Sequence, residues 1–436
     1  MLICRWRIVL SSLLFMASLH AAEPATQSLP EPLTLEYALS LVANDHPRLL
    51  DSKHLLDSFV AKRRQAEAAD DYSANLTGRA RWIDLPVTAI TPGINEDHAL
   101  GISIKKPLLD SGTTGHQLQA AQFYEEAAEQ NYQLAIQQRR ELIMRRYFDV
   151  LLADLQFFRE NERMATSYIS LDRAKARQKL GQSEEMEILK LDRAYQKVRR
   201  DRYHFEGQQR LTRARLAEAL NRPGRLSSSL NKPALTELER KRPEVEKLQH
   251  WARQHNPQLK ALRSQVAAST ASVEAARARD GFNVDAEISY NSYTFQPSAR
   301  ENWRAGFNFT YPLSRGGRSD ADVALAMSQK YRAQSRLQDA ENNMDQAILD
   351  TWMQLGTLRI ERQEMQALND YEGFYLDRTR TLYEQGLQTT LGDAMIRITD
   401  AEWRLSRTEF DMAMLWVKLE GLVGLPYRQF PQEENK

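Results

Sequence analysis

Four short motifs occur twice in the chain, in the same order and roughly 205 residues apart. Leu41-Val42-Ala43-Asn44-Asp45-His46-Pro47-Arg48-Leu49 is echoed by Trp251-Ala252-Arg253-Gln254-His255-Asn256-Pro257-Gln258-Leu259. Pro107-Leu108-Leu109-Asp110-Ser111-Gly112 is echoed by Pro312-Leu313-Ser314-Arg315-Gly316-Gly317. Leu180-Gly181-Gln182 is echoed by Gln385-Gly386-Leu387, and Asn221-Arg222-Pro223 by Gly424-Leu425-Pro426. Chance produces one such echo. Four in register mark a duplication, so the fold must be one that a single unit builds twice.

Each unit contains a long interval without proline, from Pro107 to Pro223 and from Pro312 to Pro426. Proline breaks helix interiors, so these intervals leave room for very long helices. Gly181 and Gly386 fall near the two midpoints and read as turns, dividing each interval into a helical hairpin. A helix of about 65 residues is about 100 Å long. Another helix precedes each interval, roughly Leu35 to Ala69 and Val245 to Arg279, built from good helix formers. Ile398, Ala401, Leu405, Thr408, Met412, Leu415, Leu419 and Leu422 step by threes and fours, as a coiled-coil seam does, with Thr408 its weak member. Ile188, Leu191, Tyr195, Val198 and Phe205 are the counterpart in the first unit. An ordinary helical bundle would show similar seams. It would not explain the strands.

Between the preceding helix and the long interval, each unit alternates with period two. Leu76, Gly78, Ala80 and Trp82 alternate with Thr77, Arg79 and Arg81; Leu100, Ile102 and Ile104 alternate with Gly101, Ser103 and Lys105. In the second unit, Val284, Ala286, Ile288 and Tyr290 alternate with Asp285, Glu287, Ser289 and Asn291, then Trp303, Ala305, Phe307, Phe309 and Tyr311 with Arg304, Gly306, Asn308 and Thr310. One face is apolar and the other polar. A half-buried soluble sheet has the same pattern. The lengths also suit membrane-crossing strands, and aromatic residues gather toward the ends as interface belts do. Two hairpins are too few to close a barrel within one chain, whereas three copies would supply twelve strands. On that reading the polar face, with Arg79, Arg81, Lys105, Asp285, Glu287 and Arg304, lines a wet lumen.

A membrane reading must rest on strands, because past the first residues no apolar run approaches the ~20 needed for a spanning helix. Residues 1–22 read as a secretory signal: Arg5 and Arg7, an apolar core over Ile8 to Leu19, and small residues at Ala21 and Ala22. The single cysteine, Cys4, precedes that core, so no lipid anchor is expected, and cleavage would leave no cysteine for disulfides or thiolate metal sites. A formal net charge of +1 lacks the basic excess of a nucleic-acid partner.

The chain resembles the TolC-like outer membrane efflux proteins. The resemblance is carried by Leu33-Thr34-Leu35-Glu36-Tyr37-Ala38-Leu39 before Asn44-Asp45-His46-Pro47, by the two strand exits at Pro107 to Gly112 and Tyr311 to Gly317, and by Tyr383-Glu384-Gln385-Gly386. It covers nearly the whole chain after the signal. It implies a mainly helical subunit, a homotrimer with a twelve-strand β-barrel and a twelve-helix α-barrel, and docking on a periplasmic adaptor of a proton-driven or ATP-driven inner-membrane transporter. It assigns Leu180, Gly181, Gln182, Gln385, Gly386 and Leu387 to the adaptor-docking tips; both glycines also read as plain helix caps. A pore-narrowing acidic ring falls to Asp393 and Glu187. Asp393 stands one position later than the family spacing, and Arg397, four residues on, is an alternative surface partner for it.

The resulting plan is a signal at 1–22, a first repeat at 23–226, a linker at 227–243 wrapping the helices, a second repeat at 244–426 and a polar tail at 427–436. A periplasmic coiled-coil scaffold or adaptor without a channel is the alternative. Catalysis finds no support: no HExxH, GxSxG or phosphate loop occurs, and the sequence calls for no cofactor and no metal. His250 and His255 are spaced off a common helical face, and His46 mirrors Asn256 before a proline, which suits a helix boundary better than a ligand.

Overall fold

The computed structural model describes residues 29–43, 46–83, 96–224, 229–235, 238–294, 300–387 and 391–430. The expected signal lies outside them. The two units build the same elements in the same order. Short helices α1 (Leu35–Ser40) and α5 (Val245–His255) open the halves. In the first half α2 (Pro47–Glu67), β1 (Ser73–Arg79), β2 (Ala99–Leu109), α3 (Thr113–Lys179) and α4 (Glu185–Ala219) follow. In the second, α6 (Pro257–Ala278), β3 (Asn283–Tyr293), β4 (Trp303–Thr310), α7 (Arg318–Glu384) and α8 (Gly392–Val423) match them. Helices α3 and α7 each have 67 residues, about 100 Å.

The single helices expected over Leu35 to Ala69 and Val245 to Arg279 are each broken in two. Pro47 and Pro257 occupy first-turn positions, where the missing N–H is not needed, so each proline starts a helix. His46 Nδ1 accepts from Arg48 N at 3.2 Å, and Asn256 Oδ1 accepts from Leu259 N at 3.0 Å. These are matched side-chain caps. The other echoed motifs also mark backbone requirements. Gly112 and Gly317 start the long helices at φ 87° and 77°; Gly181 and Gly386 end them at 71° and 73°. At those ends Gln182 N donates to Arg177 O and Leu387 N to Leu382 O, both at 2.9 Å, closing the terminal carbonyls in the same way.

Helix α3 packs against α2, α4, α6 and α8, and α7 against α6 and α8. The helices therefore form one layer, four wide. Near the strands the order is α2, α3, α6, α7; farther away it is α4, α3, α8, α7. Both edges are open, at α2 with α4 on one side and α7 on the other.

A single layer buries little, so the core lies at mid-height, where a belt of irregular chain adds a second layer. Tyr147, Phe148 and Ile143 from α3, Ile348 and Leu355 from α7, and Phe410, Trp416 and Leu419 from α8 meet Leu33, α1 and α5 there. Phe148 and Phe410 stack with centroids 4.3 Å apart. The linker crosses the helices in turn. Tyr147 Oη lies 2.8 Å from Leu33 O and 2.6 Å from Asn231 O, and burial pushes its hydroxyl up to about 12. Trp416 Nε1 donates to Leu238 O at 3.0 Å and Trp352 Nε1 to Pro243 O at 2.9 Å. Arg242 donates to Trp352 O at 2.9 Å over Gly356, where a Cβ would sit 2.6 Å from the guanidinium. The tail expected to be polar from residue 427 instead starts with a 3-10 turn, Tyr427–Gln429, and a buried Phe430 packed on Trp251. Aromatic burial outweighs the polar neighbours there.

Candidate channel wall and hairpin tips

The four strands form one antiparallel sheet in the order β1-β2-β3-β4, with β1 and β4 as open edges. Register aligns Leu76, Ile102, Tyr290 and Trp303 in one row and Ala74, Ile104, Ile288 and Ala305 in the next. Among the described residues no element of the subunit covers this face. Leu76 and Phe307 are each 75% exposed, Trp303 69% and Phe309 68%. Burying side chains of this size is worth about 1.5–3 kcal/mol each. A sheet that presents a whole row of them is made to be covered by something outside the subunit. Among the described residues no helix is long and apolar enough to cross a membrane.

The opposite face carries the polar set. Register places Arg79, Lys105, Asp285, Glu287 and Arg304 on it together, and Arg81 continues the row beyond β1. Lys105 Nζ pairs with Asp285 at 2.8 Å across β2 and β3, and Asn308 donates to Glu287 at 3.2 Å. Gly101 admits the Asn291 side chain over the β2 backbone, since a Cβ there would meet its Oδ1 at 2.0 Å. The sequence reading missed Asp97. This carboxylate is 1% exposed, held by Arg81 from one hairpin and by Arg300 Nη1 at 2.6 Å from the other. Its only sequence signal was an acid just ahead of an alternating run, and its second arginine lies in the other repeat.

At the far end of the helices, Leu180 and Leu387 are each 72% exposed, and Gly181, Gln182, Gln385 and Gly386 are exposed beside them. Glu187 sits in the first turn of α4 and binds Arg177 at 3.0 Å, with Ser183 Oγ donating to it at 2.7 Å. Asp393 sits in the first turn of α8, exposed and without an ion-pair partner among the described residues. The alternative pairing with Arg397 is not what forms. Arg397 approaches Glu372 of α7 at 3.9 Å and lies over Tyr375, because the neighbouring helix offers a nearly buried carboxylate and a ring. Gly392 lets α8 touch α3, a Cβ there meeting Thr166 Oγ1 at 2.1 Å. Among the described residues no cluster of His, Cys, Asp and Glu could hold a metal ion.

An uncovered apolar sheet with a polar reverse side, set on helices about 100 Å long, is the build of a protein that strands anchor and long helices extend. The chain belongs to the outer membrane efflux protein family, whose model matches residues 38–222 and 248–425. Among curated proteins it is 26% identical over 284 residues to Protein CyaE of Bordetella pertussis, a match that covers 62% of this chain and 59% of CyaE. Solved structures share the fold. VceC of Vibrio cholerae has a TM-score of 0.71 at 17% identity, covering 90% of this chain and 96% of VceC. The CmeC outer membrane channel of Campylobacter jejuni has 0.71 at 13%, covering 89% and 85%. CusC has 0.72 at 15%, covering 90% and 92%.

Proposed function

We propose that three copies of this chain form a passive exit duct in the outer membrane, extending into the periplasm. The observation that carries the proposal is the four-stranded sheet with an uncovered apolar face and two unpaired edges. Unpaired edge groups cannot be left in lipid, so a spanning sheet must close. Four strands cannot close alone, and twelve enclose a wet lumen. Arg79, Arg81, Lys105, Asp285, Glu287 and Arg304 then face that lumen. The helical layer closes with the same symmetry into a periplasmic barrel. Its tips at Leu180, Gly181, Gln182, Gln385, Gly386 and Leu387 dock on a periplasmic adaptor of a proton-driven or ATP-driven inner-membrane transporter. Asp393 and Glu187 ring the narrow end. A lumen this wide leaves the choice of cargo to the pump. A signal at 1–22 directs export. A scaffold without a channel would leave the apolar face with nothing to cover it. The test is native mass measurement on protein extracted from outer membranes. A trimer is expected; a monomer, or release with the soluble periplasmic fraction, overturns the proposal.

A further inference from the structure

Within one subunit the foot of β2 meets the foot of β3. Ser111 Oγ donates to Phe282 O at 2.9 Å, and Gly281 makes the room, since a Cβ there would lie 2.0 Å from Ser111 Oγ. Duplication supplies the same two feet a second time, at the open edges of the sheet. Pro107 to Gly112, leaving β2, recurs as Pro312 to Gly317, leaving β4. Asp280-Gly281-Phe282, leading into β3, corresponds to Asp70-Asp71-Tyr72, leading into β1. The ladders support this correspondence: Ser73↔Lys105 and Arg79↔Ala99 in the first hairpin map onto Asn283↔Thr310 and Ser289↔Arg304 in the second.

The residues that differ between the inner and outer feet complement one another. Asp71 stands where the inner junction has Gly281, and Gly316 where it has Ser111, so bulk and space change sides. No atom lies within 4 Å of the place a Gly316 Cβ would take. Arg315 replaces Asp110, and Arg318 replaces Thr113. Asp70 and Asp71 at one edge and Arg318 at the other are exposed and make no side-chain ion pair among the described residues. Arg315 donates to Arg279 O at 2.6 Å and lies 3.8 Å from Asp280. One edge thus ends in unpaired acid and the other in base. Carrying the β2–β3 register to the edges turns Ile104↔Ile288 into Phe309 against Gly78, and Ile102↔Tyr290 into Phe307 against Ala80. The exposed rings then meet small residues.

We propose that the seam between adjacent copies repeats the β2–β3 junction: β4 of one subunit pairs with β1 of the next, Phe309 lies opposite Gly78 of the partner subunit, and Arg315 and Arg318 close the foot against the partner's Asp70 and the partner's Asp71. This rests on the trimer proposed above. Opposed pairs bring Cβ atoms to about 4.5–5.5 Å and diagonal ones to about 7–8 Å, while a disulfide needs about 3.5–4.5 Å. In a Cys4→Ser background, full-length protein in outer membranes carrying Phe309→Cys and Gly78→Cys is expected to give about tenfold more disulfide-linked dimer than Phe309→Cys with Leu76→Cys. Reversing Arg315→Asp and Arg318→Asp is expected to lower the yield of detergent-resistant trimer, and adding Asp70→Arg and Asp71→Arg to restore it. A trimer in which the Leu76 pair links better overturns the register and leaves the duct standing. A trimer untouched by the reversal, with loss of binding to phosphatidylglycerol vesicles, assigns the arginines to a lipid headgroup and overturns the ion pairs. A monomer with no crosslink from either pair overturns the trimer itself.

Discussion

Helices α4 and α8 are the same element of the duplicated unit, yet they live in different surroundings. Helix α8 lies between α7 and α3 and buries Ala394, Ala401, Phe410, Met412, Trp416 and Leu419 along its length. Among the described residues, helix α4 packs chiefly on α3, and its buried residues are confined to Leu216, Ala217 and Ala219 beside the belt. Leu189 and Tyr203 on α4 are 58% and 75% exposed. Duplication supplied the same seam to both. The α4 seam residues Ile188, Leu191, Tyr195, Val198 and Phe205 are only partly buried, so position in the layer decides whether a helix is enclosed on two sides within the subunit or on one.

Truncation is the strongest way to break that comparison. Phe410→Ala removes a buried ring stacked on Phe148, and a loss of about 3–5 kcal/mol is expected in denaturant unfolding. Phe205→Ala, on the matching seam of α4, is expected to cost only about 1 kcal/mol in the isolated subunit, because the ring is only partly buried. Equal losses would show that α4 is held as α8 is.

Charge gives the next largest contrast. Arg159 of α3 joins Asp400 of α8 at 2.5 Å and the buried Glu160 at 3.0 Å. Arg159→Ala leaves the buried Glu160 to Arg163 at 3.2 Å and Asp400 to Arg404 at 2.8 Å, and a loss of about 1–3 kcal/mol is expected. The tip pair Arg177–Glu187 is about half exposed on both sides, so Arg177→Ala should cost about 0.5 kcal/mol or less. A double-mutant cycle on each pair measures the difference.

The pH dependence is smaller again. Burial opposes ionisation of Asp400, but hydrogen bonds from Arg159 and Arg404 outweigh it and hold the carboxyl below its ordinary value. A carboxylate lowered in the folded state adds stability that is complete above its unfolded value and fades as pH falls through the folded one. Acid should therefore loosen α8 from α3, and Asp400→Asn should flatten the acid limb of the stability curve. An unchanged limb would remove Asp400 from this role. The smallest effect on stability belongs to Asp393→Ala, within about 0.5 kcal/mol, because the side chain is exposed and unpaired. Its expected effect is on the pore: lower cation conductance at low salt, where screening is weak. Conductance equal to the parent at every salt concentration would take Asp393 out of the ring.

Much of this was legible in sequence because the echoed motifs sit where the backbone allows few residues. Gly181 and Gly386 end helices at positive φ, Gly112 and Gly317 start them, and His46 and Asn256 cap them ahead of prolines. The strand faces were legible because period two survives any tertiary context. The breaks at Pro47 and Pro257 were not, since a proline in a first turn leaves helix formers on both sides and the periodicity runs through it. Asp97 with Arg300, and Arg397 with Glu372, were hidden because each joins elements far apart in the chain. A neighbouring helix overrode the i,i+4 rule at Arg397.

The layer also has a topological consequence. Helices α3 and α7 are unbroken staves running from tip to strands, while α4 and α8 stop at the belt, where Asn221 and Gly424 turn the chain at positive φ. The chain path from the tip of α8 therefore ends at the belt, whereas the path from the tip of α7 runs back along one helix, through Gly317 and β4, to the open edge of the sheet.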